Sequence, residues 1–114
     1  MKKKQYVPER GDIVRVNLDP TRGHEQANIR PALVLSPALY NAKAKLMLAC
    51  PITSRAKGYP FEVSLPETSG TRGVVLSDQV RVLDWTVRGV RLLGRIDESA
   101  LADVQARVVA LVQG

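Results

Sequence analysis

The stretch from Gly11 to Pro37, GDIVRVNLDPTRGHEQANIRPALVLSP, reads as two strands joined by a polar loop. Val14, Val16 and Leu18 alternate with Arg15 and Asn17, the period of two that a half-buried strand requires, and Asp19-Pro20 ends it. A first strand is predicted over residues 12–18. The following segment, TRGHEQANIR, is polar and has no usable periodicity, so it reads as an exposed loop able to carry a site. Pro31 then opens the apolar run PALVLSP, suited to a buried strand, and Pro37 closes it.

Working outward, residues 38–45 hold good helix formers but too few for a long helix, which predicts a helical turn. A third strand is expected over 46–53. SRAKGYPFEVSLP begins as a basic loop containing Gly58 and Pro60. It turns into a strand from Phe61 to Leu65, where Phe61, Val63 and Leu65 alternate with Glu62 and Ser64. Phe61 is expected in the core. ETSGTRG is rich in turn formers, VVLSDQVRVLDW supplies one long or two short strands, and VRGVRLLGRI supplies another. The period then changes: Leu101, Val104, Val108 and Leu111 or Val112 recur at helical spacing, with Asp97 or Ser99 placed to cap the first turn. Several short strands followed by one helix predict a mainly β protein with α, a small, strongly bent antiparallel β-barrel packed by a C-terminal amphipathic helix.

The 114 residues fit one domain over 1–114, with residues 1–10, which include Lys2, Lys3 and Lys4, expected as a flexible basic terminus. Hydrophobic residues at 45% and charged residues at 25% exclude a disordered chain. The net charge of +6 favours a polyanionic partner, nucleic acid or an acidic protein, without specifying fold or chemistry. No apolar stretch follows the lysines as a secretory signal would demand, and no run approaches the roughly 20 apolar residues of a membrane-spanning helix. A soluble, cytoplasmic protein is expected. Cys50 is the single cysteine, so no intrachain disulfide can form; within its apolar run it reads as a small core hydrophobe.

His24 is the single histidine, the acids are not clustered as a magnesium site needs, and the glycines lack the GxxxxGK[ST] spacing of a phosphate loop. No metal and no cofactor are expected. One hydrolytic chemistry suits so spare a set of groups. RNA brings its own nucleophile, the 2′-OH, and asks of a protein alignment and stabilisation of charge on the phosphate, for which arginine's planar fork is well matched. His24, Glu25 and Arg30 fall within seven positions, and Pro31 biases Arg30 toward extended backbone. Spacing alone leaves these open as solvated loop residues, and Thr53 open as a strand-end hydroxyl bonded to backbone.

Four stretches together, GDIVRVNLDPTRGHEQ, RPALVLSPALYN, CPITSRAKGYPFEV and GVVLSDQVRVLDW, resemble the MazF/PemK family of toxins over most of the chain. The resemblance implies an SH3-like antiparallel barrel, of the CcdB/MazF-like kind, that forms a homodimer. It implies a toxin of a toxin-antitoxin system that cuts single-stranded RNA at short sequences without metal, leaving a 2′,3′-cyclic phosphate and a 5′-hydroxyl. Its partner would be a cognate, MazE-like antitoxin whose acidic C-terminal segment occupies the RNA groove.

By motif, Arg30 and Thr53 correspond to the family's catalytic pair and Glu25 to the accompanying acid. Arg30, always protonated, is assigned to charge stabilisation; Glu25 is the candidate base, with His24 as competitor or substrate contact. Arg55, Lys57 and Tyr59 offer phosphate contact and base stacking, although Tyr59 is equally compatible with packing on the barrel. Asp78 and Gln79 are placed near the groove, where Gln79 is suited to reading a base edge. The chain departs from the family's usual residues at Arg15, Asn17, Asn28 and Ile29, which puts a relative's cleavage word and antitoxin pairing in doubt. Two rival readings remain: a CcdB-like toxin that binds DNA gyrase without catalysis, and a non-catalytic RNA-binding module.

Overall fold

The computed structural model describes residues 5–18 and 28–114. His24 and Glu25 therefore lie outside the described residues, as do Lys2, Lys3 and Lys4. In chain order the elements are β1 (Asp12–Asn17), β2 (Ile29–Val34), helix α1 (Ala38–Ala44), β3 (Met47–Thr53), β4 (Glu62–Ser64), β5 (Val74–Leu76), β6 (Arg81–Leu83), the short helix α2 (Trp85–Arg88), β7 (Arg91–Arg95) and helix α3 (Glu98–Gln113). Turns of 3-10 helix cover Glu67–Ser69 and Ser77–Gln79. VVLSDQVRVLDW thus forms two short strands separated by the second of these turns.

Every pairing described is antiparallel, in the order β4-β5-β3-β2-β1-β7, with β6 added to β3. The bend comes from β3. One of its edges pairs with β2; the other pairs with β6 through Met47–Ala49 and then with β5 through Ile52 and Thr53. One strand is thereby shared by two sheet directions. The ladder runs from β4 to β7 without joining its ends, so the barrel expected from sequence is an open, strongly bent sheet.

Two apolar cores flank the sheet, and residue parity decides which one a side chain enters. Leu33, Leu35, Cys50 and Ile52 join Ile13 beneath α3, where Ala100 and Val104 close the layer. Ala32, Val34, Met47 and Ala49 join Val14, Val16, Leu18, Leu83 and Trp85 on the other face. The continuous apolar run in PALVLSP follows from this double burial, as in strands covered on both faces. In β1, Ile13 is buried together with Val14, and the β1–β7 register shifts between them. The alternation predicted from Val14 to Leu18 holds, with Arg15 exposed, and Ile13 is buried as well because the opposite face of the strand start is covered by the second core.

The expected loose terminus needs correction over residues 6–10. Tyr6 donates its hydroxyl hydrogen to Asp12, the buried Pro8 carbonyl accepts from Asn41 Nδ2 at 2.8 Å, and Glu9 Oε1 accepts the Ala38 amide at 2.9 Å. Asp12, itself buried, is also paired with Arg95 of β7. Only the far end of α3 is less engaged than its spacing predicted: Leu101 and Val108 pack on the core, but Leu111 and Val112 are exposed. Asp97 stands at the helix N-cap, with its carbonyl rather than its carboxylate accepting the Leu101 amide. Phe61, expected in the core, is half-buried at the turn before β4.

Candidate active site

The site begins where a ladder stops. β2 and β3 pair as Val34↔Ala49, Leu33↔Cys50 and Ala32↔Pro51, and the pairing ends there although both strands continue. Pro31 and Pro51 flank the stopping point, and proline has no N–H to extend a ladder. The gap beyond is a hollow of about 340 Å³ lined by Arg30, Pro51, Ile52 and Thr53, with Asn28, Gln79 and Arg81 at its rim. Carrying the same register on by two residues sets Arg30 across from Thr53. A second hollow, of about 300 Å³, opens on the other side of Thr53 and is lined by Arg55, Lys57, Tyr59, Glu62 and Asp78. Thr53, Leu76 and Gln79 line both, so the two form one cleft with Thr53 at its waist.

Each polar group is held by its local structure. Arg30, exposed near the start of β2, donates Nε to Asn28 Oδ1 at 2.8 Å, which leaves its two terminal amino groups for a ligand. Thr53 ends β3 opposite Val74, and its Oγ1 accepts the Arg55 amide at 3.1 Å. Its own hydroxyl hydrogen is left to donate. Gly73, at φ +126°, lets β5 begin hard against this residue: a Cβ there would stand 2.3 Å from the Thr53 carbonyl oxygen. Asp78 and Gln79 are exposed on the turn after β5, whose Ser77 is buried and donates its amide to the Phe61 carbonyl at 3.0 Å. Tyr59 is 61% exposed beside the cleft, against its reading as a barrel-packing residue.

Among the described residues, four cations, Arg30, Arg55, Lys57 and Arg81, stand around the cleft against the carboxylates of Glu62 and Asp78. The excess of positive charge suits a phosphate backbone, and the exposed Tyr59 ring suits an unstacked base. Arg81 and Glu62 escaped sequence reasoning. Nothing in their neighbourhood is a motif, and only strand pairing brings them to the cleft: Arg81 lies opposite Ala49 in β6, and Glu62 opposite Leu76 in β4. Six sequence-chosen residues, Thr53, Arg55, Lys57, Tyr59, Asp78 and Gln79, line one hollow, and Arg30 joins Thr53 and Gln79 in the other.

Cys50 lies buried under α3, and burial pushes its thiol up to about 12, as befits a core side chain rather than a nucleophile. Among the described residues no three His, Cys, Asp or Glu side chains gather as a metal site would require. No helix of the described residues is long and apolar enough to cross a membrane.

Residues 9–112 match the family model of the PemK-like, MazF-like toxin of type II toxin-antitoxin systems. The chain belongs to this family. Among relatives, it is 44% identical to the endoribonuclease toxin MazF of Escherichia coli K12, across 95% of this chain and 96% of that protein. It is 40% identical to the Escherichia coli endoribonuclease PemK, across 91% of this chain and 81% of that one. Among solved structures, MazF from Deinococcus radiodurans superposes with a TM-score of 0.88 at 51% identity, covering 96% of this chain and all of that one. MazF in a MazE–MazF complex from the same organism superposes at 0.85, with 47% identity over 96% of this chain and 98% of that one. The family's fold is therefore the fold observed, an antiparallel seven-strand sheet among the described residues with a C-terminal helix.

Proposed function

We propose that this chain is the toxin of a toxin-antitoxin pair and acts as an endoribonuclease on single-stranded RNA, messenger RNA included, at short recognised sequences and without a metal ion. The observation that carries the reading is the interrupted β2–β3 ladder, which leaves Arg30 and Thr53 on facing strand ends at the waist of a cationic cleft. The 2′-oxygen attacks phosphorus as its proton passes to Glu25, and the bond from phosphorus to the 5′-oxygen breaks as that oxygen takes up a proton from water. The products are a 2′,3′-cyclic phosphate and a 5′-hydroxyl. Arg30 forks onto the non-bridging oxygens and Thr53 donates its hydroxyl to one of them, so both act by stabilising the charge that grows there. His24, Arg55, Lys57, Tyr59, Asp78 and Gln79 hold the strand on either side.

The relatives solved as MazE–MazF complexes support a cognate antitoxin as partner. We place an acidic C-terminal segment of that antitoxin in the same cleft, where it competes with RNA, and assign the chain to the cytoplasm as a homodimer. The test is cleavage of a long single-stranded RNA in EDTA, with both new ends mapped. Cuts at one short word, a cyclic phosphate upstream and 5′-hydroxyls downstream are expected. Arg30→Ala abolishes cutting while circular dichroism and dimerisation are unchanged. RNA left intact in every sequence context overturns the nuclease reading and leaves gyrase inhibition as the assay for the CcdB-like one.

A further inference from the structure

Seven residues, 54–60, carry the basic and aromatic side chains of one cleft wall, and they form neither helix nor strand. Such a segment would be expected to lose its order in water unless something fixes its backbone. Glu62 supplies the fastening. Its Oε1 accepts the Lys57 amide at 3.0 Å and the Gly58 amide at 2.9 Å, and Oε2 accepts the Lys57 amide at 3.0 Å. Consecutive amides converging on one anion make a nest, and Gly58, at φ +81°, takes the left-handed conformation that such a turn needs. Strand alternation aims the carboxylate there: Val63 points into the core, so Glu62 points away from it and toward the cleft.

The rest of the loop is tied consistently with this. The Glu62 amide donates to the Tyr59 carbonyl at 3.0 Å, closing a turn in which Pro60 holds the position that favours its fixed φ. Arg107 of α3 donates Nε to the Pro60 carbonyl at 2.8 Å, and the Arg55 amide is bonded to Thr53. Each of these bonds engages backbone. The side chains of Arg55, Lys57 and Tyr59 are left exposed along the hollow.

We infer that Glu62 is a positioning residue: its carboxylate pre-forms the 55–59 wall so that Arg55, Lys57 and Tyr59 meet an RNA strand already in place. Its acidity in a cationic cleft is otherwise a cost to phosphate binding. The inference rests on the cleft being the RNA groove. It separates two effects of one side chain: the carbonyl oxygen of an amide can still accept from Lys57 and Gly58, whereas only the carboxylate repels phosphate.

The experiment compares the full chain with Glu62→Ala and Glu62→Gln, using a fully 2′-O-methylated single strand for binding and an unmodified strand for cleavage. Hydrogen exchange of the Lys57 and Gly58 amides is followed in each. Glu62→Ala is expected to lose the protection of both amides and to bind roughly 5- to 20-fold more weakly, from the ordering the loop must then undergo on binding. Its KM rises while kcat changes little. Glu62→Gln is expected to keep the protection and to bind within about 3-fold of the parent. Tighter binding by Glu62→Ala, or unchanged binding with protection lost, overturns the inference. A parent chain that binds no RNA at all overturns the groove itself, while the amide protection still reports whether Glu62 fixes the loop.

Discussion

Arg88 shows how a single side chain here serves several backbone groups. It is paired with Asp84, and its Nη1 donates to the carbonyls of Asn17 at 3.0 Å and Leu18 at 2.9 Å, the latter also receiving Arg81 Nη2 at 3.0 Å. The hydrogen bond from Arg88 holds the Asp84 carboxyl below its ordinary value of 3.8. Glu9 is likewise lowered from 4.5, first by the Ala38 amide and then by that of Arg10. A carboxyl whose folded pKa is depressed stabilises the fold above its unfolded pKa and loses that contribution as pH falls through the folded one. The stability advantage of the parent over Asp84→Asn in urea unfolding should therefore be present at pH 6 and shrink below pH about 4. Asp84 is 45% exposed, so the difference at pH 6 should be about 1 kcal/mol or less. An advantage that does not vary with pH would mean the ion pair contributes nothing.

At the scale of elements, β3 is the strand on which both packing and site depend, and two substitutions beside it separate these roles. Gly73→Ala places a methyl against the Thr53 carbonyl on a backbone that disfavours any side chain. A stability loss of about 1–3 kcal/mol is expected. Cleavage should fall further than the folded fraction does, because β5 must push Thr53 aside. Leu33→Ala empties a fully buried position away from the cleft and should cost about 2–5 kcal/mol, with cleavage per folded molecule retained. Urea titration and cleavage rates on the same preparations check both, and full cleavage by Gly73→Ala would show that Thr53 tolerates displacement.

Most elements were legible in the sequence because each has a local cause: alternation for β1 and β4, a proline-bounded apolar run for β2, helical spacing for α3. The cleft was less so. Arg30 and Thr53 are separated by most of β2, α1 and β3, and their opposition depends on a register that neither local stretch contains. Motif resemblance brought them together without showing why; the ladder ending at Ala32↔Pro51 supplies the reason. Arg81 and Glu62 lacked any local cue, since an arginine and a glutamate on short outer strands read as solvated charge. The ordering of the terminus is not legible in its composition because it depends on particular partners, Asp12 for Tyr6 and, 29 residues away on α1, the Ala38 amide for Glu9.

For the molecule as a whole, a net charge of +6 favours a polyanion, and among the described residues the cleft adds a local excess of four cations over two carboxylates. Binding of a single strand should weaken with salt, at about −0.7 in log K per log salt for each phosphate neutralised. Lys57→Ala should flatten that slope by about 0.7, and an unchanged slope would place Lys57 off the phosphate track.

The two cores on either side of the sheet carry a less obvious result. In β2 and the residue after it, Ala32 and Val34 serve one core while Leu33 and Leu35 serve the other, so both parities are apolar. Moving β2 by one residue would exchange the two sets and still bury every one of them, whereas in a one-sided sheet the same slip exposes a hydrophobic face. Hydrophobic collapse is therefore a poor proofreader of this strand. Polar groups at the two ends report the error instead: the slip turns Arg30 from Thr53 to the opposite face, and it takes the buried Ser36 hydroxyl away from Asn41 and from the Leu48 amide. A one-residue insertion early in the run, between Pro31 and Leu33, should therefore cost cleavage more than compactness, as cleavage rate and urea unfolding on the same preparation would show.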